Sequence, residues 1–221
     1  MSPPDRLPLT RERIVATALT LIDTEGLGAL TMRRLGQMLG VEGMALYNHL
    51  PGKDAIIVGA FDRVMTEVPP PRTDLPWKDA LRDSAREMHL ALGRHPWAAS
   101  QMMLPSRISE ARLAWMNGVL GVLRVAGCSA ELAHHAFHVL ESHIIGFSLW
   151  LGSMAEMGDG LPPLAERLVD AQPFASYPWL VEHMRYHIDE PHEEREYDGS
   201  TFELGLEMVL DGIESLLRAR A

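Results

Sequence analysis

Cysteine is almost absent from this sequence, since Cys128 is the only one among 221 residues. One cysteine excludes an internal disulfide framework and a cysteine-rich zinc site. Long apolar runs are absent as well, and no stretch approaches the roughly 20 residues that a membrane-spanning helix needs. Residues 1–10 contain three prolines and lack the apolar segment of a signal peptide, so we expect a flexible arm there. These absences predict a cytoplasmic chain with no membrane association.

A sustained alternation of apolar and polar residues, the sign of a half-buried strand, is also missing. Apolar residues recur instead at the helical period of 3.6, which predicts an all-α fold. Helices are predicted over 11–25, 32–39, 42–48, 53–68, 77–94, 97–103, 108–126, 130–156, 163–171, 177–188 and 201–220. A polar loop is expected over 189–200, and the only strong break is the proline-rich stretch 69–76.

Residues 31–53 form the most informative segment of the chain. Thr31 can cap the helix over 32–39, and Gly40 has the conformational freedom to turn the chain towards the next short helix. A small apolar core is available from Leu35, Leu39, Val41 and Leu46. This spacing is typical of a helix-turn-helix, whose second helix enters the major groove of DNA. The predicted organisation is a flexible arm over 1–10, a three-helix helix-turn-helix DNA-binding domain over 11–68, a linker over 69–76 and a C-terminal helical domain over 77–221.

Positive charge is scarce, because the net charge of the chain is -10. The acidic residues are unevenly distributed. Residues 1–68 hold 7 basic and 8 acidic residues, whereas residues 69–221 hold 13 basic and 22 acidic residues. Residues 31–53 contain three basic residues and one acidic residue. Phosphate contacts supply much of the affinity for DNA, so an acidic body should suppress non-specific binding. Tight binding is therefore expected to depend on a specific site and on two copies of the motif.

The N-terminal motifs resemble those of the TetR family of bacterial repressors. They are Asp23-Thr24-Glu25-Gly26, Leu30-Thr31-Met32-Arg33-Arg34-Leu35, Leu39-Gly40-Val41, Ala45-Leu46-Tyr47-Asn48-His49-Leu50 and Lys53-Asp54. The C-terminal part is similar to the tetracycline-repressor branch at Pro76-Trp77-Lys78-Asp79, at Phe202-Glu203-Leu204-Gly205-Leu206-Glu207 and at Gly212-Ile213-Glu214. The resemblance covers most of the chain and implies a transcriptional repressor that a small-molecule ligand releases from its operator.

The resemblance also implies which residues face DNA. They are Thr31, Arg33, Glu42, Gly43, Met44, Ala45, Tyr47, Asn48, His49 and Lys53. By their chemistry, Arg33 is the best donor to a base or a phosphate, whereas Lys53, Tyr47 and His49 suit phosphate oxygens. Gly43 and Met44 differ from the residues of the tetracycline repressor, so we expect a different operator.

The C-terminal helices are expected to provide dimerisation and ligand binding. In the family the long helix, here 130–156, and the last helix form a four-helix bundle across a two-fold axis, so a homodimer reading a palindromic double-stranded DNA operator is implied. The resemblance places Met88, Met102, Pro105 and Trp115 near the ligand cavity, which favours a mostly apolar small-molecule effector. Met102 replaces a histidine that holds the metal–drug chelate in that branch, so a tetracycline–magnesium effector is not expected.

A histidine-rich segment leaves two alternatives open. His134 and His138 lie four residues apart, so they share a helix face and can bind one metal ion, as in a metal-responsive regulator. Glu131 and His134 also match half of a di-iron carboxylate motif, which is the basis for a helical metalloenzyme. A second such pair is missing from the sequence, as are a phosphate-binding loop and a nucleophile–base set. We therefore predict a protein that is not an enzyme and has no cofactor.

Overall fold

The computed structural model describes residues 8–104, 106–155, 166–169, 176–188 and 201–219, and across these residues the chain is helical with no strand. The α-helices are α1 Arg11–Glu25, α2 Met32–Leu39, α3 Lys53–Met65, α4 Trp77–Arg94, α5 Pro96–Met102, α6 Glu110–Val125, α7 Ala130–Ala155, α8 Pro178–Ile188 and α9 Thr201–Arg218. Two 3-10 helices span Leu27–Ala29 and Gly43–Asn48. The all-α prediction is confirmed.

Hydroxyl side chains define several helix starts. The hydroxyl oxygens of Thr10, Thr31 and Ser129 accept hydrogen bonds from the backbone N–H three residues later, at 3.2, 3.1 and 3.1 Å. Each bond satisfies an N–H group that the first turn of a helix leaves without a partner. The cap by Thr31 is a confirmed prediction, and Ser109 caps α6 in the same way.

The predicted and observed elements differ at a few ends. The segment after the turn is a 3-10 helix over Gly43–Asn48, and α3 ends at Met65, three residues before the predicted end at Val68. Of the predicted helix over 163–171 the structure describes only 166–169, which are helical. The predicted loop over 189–200 lies outside the described residues.

Two large apolar cores hold most of the buried side chains of the described residues, and α3 contributes to both; Val169 and Met184 form a small third cluster. Ile56, Ile57 and Ala60 pack in an N-terminal core with residues of α1, α2 and the second 3-10 helix. Phe61 and Val64, one turn further along, pack in a larger C-terminal core with α4 to α7 and α9. A single helix thus joins the two cores.

The linker packs closely on the C-terminal core. Pro71 is buried, and a Cβ atom added at Gly118 of α6 would lie only 2.7 Å from its Cδ. Glycine is therefore needed at 118 for this approach. The described linker is thus fixed against α6.

A ladder of ion pairs joins α4 to the antiparallel α9. The pairs are Lys78 with Asp211, Arg82 with Glu207 and Arg86 with Glu203. Hydrogen bonds from Arg82 hold the pKa of Glu207 below its ordinary value. The four-residue spacing on both helices places the partners opposite one another and fixes the register of α9. Within the described part of the chain, no helix is long and apolar enough to cross a membrane.

Candidate functional site

The turn between α2 and the second 3-10 helix is tightly built. Gly40 ends α2 in the left-handed region at φ 71°, and the N–H of Val41 donates to the carbonyl of Gly36 at 2.9 Å. A Cβ atom at Gly36 would lie 2.8 Å from the carbonyl oxygen of Val41 and 2.9 Å from the backbone nitrogen of Gly43. These neighbours are backbone atoms, so they cannot rotate away. Glycine at 36 therefore sets the distance between the two helices of the motif.

The 3-10 helix Gly43–Asn48 turns one side to the core and the other to solvent. Leu46 is fully buried in the N-terminal core, whereas Met44 is 75% exposed and Tyr47 is 47% exposed. Seven other predicted DNA contacts differ in their solvent exposure: Ala45 is half-buried, and the exposed ones are Thr31, Arg33, Glu42, Asn48, His49 and Lys53. The fold thus brings the predicted DNA-facing residues together around one short helix, and their contacts with DNA stay a prediction.

Gly43 differs from the other predicted DNA contacts. It is half-buried, and a Cβ atom there would lie 3.0 Å from the carbonyl oxygen of Met32 in α2. Its position therefore serves the close contact of the 3-10 helix with α2. Arg34, next to the exposed Arg33, is held by an ion pair of 2.9 Å with Glu25 at the end of α1.

A cavity of about 580 Å³ lies in the C-terminal part of the structure. It is bounded by the end of α5, the segment that follows it, α6 and α7. Its walls are mainly apolar: Met102, Met103, Leu104, Ile108, Leu113, Met116, Ile145 and Leu149. The volume falls within the range of about 300–1,000 Å³ that small-molecule sites occupy. This cavity is the candidate ligand site.

Comparisons with known proteins agree with this two-part geometry. Residues 69–217 match the family model described as "Tetracyclin repressor-like, C-terminal domain". The chain is 30% identical over 222 residues to the HTH-type transcriptional repressor DrrR1 of Streptomyces coeruleorubidus, covering 96% of this chain and 80% of that protein. The chain belongs to the TetR family.

Solved structures of one TetR-family protein also match the fold. Apo ActR from Streptomyces coelicolor has a TM-score of 0.76 and 30% sequence identity, covering 97% of this chain and 99% of that chain. ActR in complex with actinorhodin has a TM-score of 0.74 at 30% identity, over 94% and 96% of the two chains. Family membership confirms the predicted function of a DNA-binding transcriptional repressor, and it confirms that the chain is a regulator rather than an enzyme.

The four predicted pocket residues of this TetR-family chain occupy different places. Met102 lines the cavity, whereas Met88 and Trp115 are buried in the C-terminal core and do not line it. The indole N–H of Trp115 donates to the hydroxyl of Ser84 at 2.9 Å, as a buried tryptophan requires. Pro105 lies outside the described residues. Met88 and Trp115 thus lie outside the cavity wall that the structure describes, and the placement of Pro105 stays a prediction.

An ion pair in the cavity was missed from the sequence. Nη2 of Arg112 in α6 lies 3.2 Å from Oε1 of Glu141 in α7, and the side chains are only 12% and 13% exposed. Both residues line the cavity. The sequence gave little sign of this pair, because 29 residues separate the two charges and they lie on different helices.

The histidines of α7 do not form a complete metal site in the described structure. The rings of His134 and His138 lie with centroids 4.6 Å apart at an angle of 80°, and both side chains are exposed. Over the residues described, no group of three or more His, Cys, Asp or Glu side chains is arranged to hold a metal ion. A metal-responsive regulator therefore gains no support from the geometry, and family membership favours a regulator over a metalloenzyme.

Polar contacts join the end of α3 to the junction of α4 and α5. Glu67, just after α3, pairs with Arg94 at 2.8 Å and with Nε2 of His95 at 3.2 Å. Burial alone would raise the pKa of Glu67, but the hydrogen bond from Arg94 and the charge of His95 outweigh it and lower the pKa. Sequence spacing gave no sign of this network, because its members lie in separate elements.

Proposed function

We propose that this TetR-family protein acts in the cytoplasm as a homodimer that binds a palindromic operator and leaves it when a small molecule occupies the 580 Å³ cavity. The observation that carries the proposal is the outward-facing side of the 3-10 helix, where Met44 and Tyr47 are exposed beside the buried Leu46. A short helix held against α2 by the glycine contacts presents its outer side chains to a major groove. One such helix gives few base contacts, so a second copy is needed for tight binding.

Apolar side chains on α7 and α9 support the homodimer. Val139 and Trp150 of α7, and Met208 and Leu216 of α9, are exposed in the single chain. Helices that carry exposed apolar residues are stabilised when another surface covers them, and a two-fold pairing covers both copies at once. The ion pairs with α4 already fix α9 within its own chain, so this helix forms a rigid base for the partner.

A contact from the cavity wall to α3 supports release by a ligand. Met103, Leu104 and Ile108 line the cavity, and Arg107 lies between them in sequence. Its Nη2 donates to Oδ1 of Asp54 in the first turn of α3 at 3.0 Å. A ligand that displaces this wall segment moves the start of α3, which follows the 3-10 helix after residues 49–52. The ligand thus shifts the protein between a conformation that fits DNA and one that does not, because it binds the second conformation more tightly.

Gel retardation with DNA from upstream of the protein's own gene, combined with light scattering, tests the proposal. The wild-type chain should be a dimer and retard this DNA in preference to unrelated DNA. Met208→Arg places a charge on the proposed dimer face and should give a monomer that no longer retards the fragment. Val125→Arg, at a residue 90% exposed on α6, is the matched control and should behave as wild type. A wild-type dimer without sequence preference, or an M208R dimer with full DNA affinity, would contradict the proposal.

A further inference from the structure

The pair of Arg112 and Glu141 is the charged feature of a mainly apolar cavity, whose wall also includes Ser142. Both side chains are nearly buried, and the pair is joined by one hydrogen bond of 3.2 Å. Removing two charges from water is expensive, and apolar side chains would join α6 to α7 at least as well. Stability therefore does not explain why a pair occupies this wall, whereas ligand recognition does.

The guanidinium of Arg112 has donors to spare. A guanidinium carries five N–H donors, and within the described part of the chain that of Arg112 gives only the bond to Glu141. The buried side-chain polar atoms that lack a partner in the described structure belong to Asp62 and His89, so the remaining donors of Arg112 reach accessible space. Because Arg112 lines the cavity, that space is the cavity itself.

The carboxylate of Glu141 has less capacity for a ligand. Its Oε1 accepts from Arg112, and its Oε2 lies 3.9 Å from Nδ1 of His138. Both oxygens therefore have a cationic or polar neighbour, whereas most donors of Arg112 do not. The asymmetry favours a ligand group that accepts hydrogen bonds and carries negative charge, with Glu141 holding the guanidinium in position.

We propose that the effector is an amphipathic carboxylic acid, with a carboxylate bound by the fork of Arg112 and an apolar body of one to three rings against the methionine and leucine walls. A planar guanidinium matches a carboxylate through two parallel hydrogen bonds, which gives specificity as well as affinity. The inference rests on the proposed effector cavity. Gly146 of α7 lines the same space, and a Cβ atom there meets nothing within 4 Å.

Paired acids and esters test this inference. Benzoate, 2-naphthoate and anthracene-2-carboxylate are titrated into the full-length dimer by calorimetry, each beside its methyl ester. At least one acid should bind about tenfold or more tighter than its ester, the value expected for hydrogen bonds to a charged group. Arg112→Lys keeps the charge beside Glu141 but loses the fork, so the acid should weaken towards the affinity of its ester. The ester itself should bind as before.

Cavity-filling variants separate this site from the rest of the surface. Gly146→Leu should abolish binding of acid and ester alike, whereas Gly121→Leu, at an exposed glycine of α6 that does not line the cavity, should leave both unchanged. Wild-type protein that prefers no acid, or R112K protein that keeps the preference, overturns the inference. Retardation of operator DNA without any probe is measured on the same samples. This control distinguishes a failure of the proposed DNA-binding function from a failure of the proposed carboxylic-acid effector. Circular dichroism shows that each variant is folded.

Discussion

The carboxylate of Asp23 and the imidazole of His95 lie 2.8 Å apart, at Oδ1 and Nδ1, across the boundary between the two apolar cores. The same oxygen accepts the indole N–H of Trp97 at 2.8 Å. Asp23 belongs to the last turn of α1, and the other two residues belong to the junction of α4 and α5. One carboxylate thus connects the DNA-binding part to the start of the helix that ends at the cavity.

Replacing Asp23 by alanine should destabilise the protein. The variant leaves N–H groups of the buried His95 and the half-buried Trp97 without their acceptor, and we expect the free energy of unfolding to fall by about 1–2 kcal/mol. Urea unfolding followed by circular dichroism measures this change. Asp74→Ala removes an exposed ion pair of the linker with Arg72 and should change stability by less than about 0.5 kcal/mol. Equal stability of the D23A and D74A proteins would show that the boundary contact contributes nothing.

Gly36→Ala should damage the helix-turn-helix although alanine is the better helix former. The higher helix propensity of alanine should stabilise α2 by about 1 kcal/mol. The added Cβ, however, lies 2.8 Å from the backbone oxygen of Val41, and overpacking against fixed atoms costs about 1–3 kcal/mol. The separation of α2 from the 3-10 helix must also increase, so we expect weaker operator binding. Thermal unfolding and gel retardation measure the two effects.

The control for this variant is Gly28→Ala in the first 3-10 helix, where an added Cβ meets nothing within 4 Å. It should leave both stability and DNA affinity close to wild type. Wild-type retardation by G36A protein would mean that the turn adjusts without cost, contrary to the packing described above.

The helix-turn-helix was predictable because its signals are local. The motif depends on a cap at Thr31, a left-handed glycine at 40 and apolar residues at helical spacing. These features act within a few residues of one another, so they can be recognised in the sequence. The cavity wall was not predictable in this way. Helical spacing marks Met88 and Trp115 as buried, but whether a buried side chain meets another side chain or a void depends on how α4, α6 and α7 pack. The pair of Arg112 and Glu141 was unpredictable for the same reason, because only the packing of α6 against α7 brings the two charges together.

Lys53→Ala should reduce the salt dependence of operator binding. Lys53 is exposed in the first residue of α3, next to the 3-10 helix, and each phosphate contact releases about one counterion. A dimer has two copies, so the slope of log K against log salt should become shallower by about two. Fluorescence anisotropy from about 50 to 200 mM salt measures the slope.

Arg63→Ala is the matched control for this charge, because Arg63 is exposed in the last turn of the same helix, away from the 3-10 helix. Its slope should equal that of wild type. Equal slopes for K53A and wild type would remove Lys53 from the predicted phosphate contacts.

His89 gives the protein a stability that depends on pH near neutrality. Its ring stacks on Phe202 with centroids 3.9 Å apart, and its Nδ1 is buried without a hydrogen-bond partner in the described structure. Burial lowers the pKa of His89 below 6.5; the charge of Glu203 opposes this effect and His143 adds to it. Between the folded and unfolded pKa values the unfolded chain binds more protons. The contribution of His89 is therefore complete above pH 6.5 and is lost as the pH falls through the folded pKa.

Replacing His89 by phenylalanine should remove that part of the pH dependence. The new ring keeps the stacking on Phe202 and has no nitrogen to protonate, so the free energy of unfolding should fall less steeply between about pH 6.5 and pH 5 than in wild type. Urea unfolding at four pH values in this range and at pH 8 measures the slope. His49→Gln, at an exposed histidine, should keep the wild-type slope. If H89F and wild type lose stability in parallel on acidification, the buried imidazole is not the group responsible.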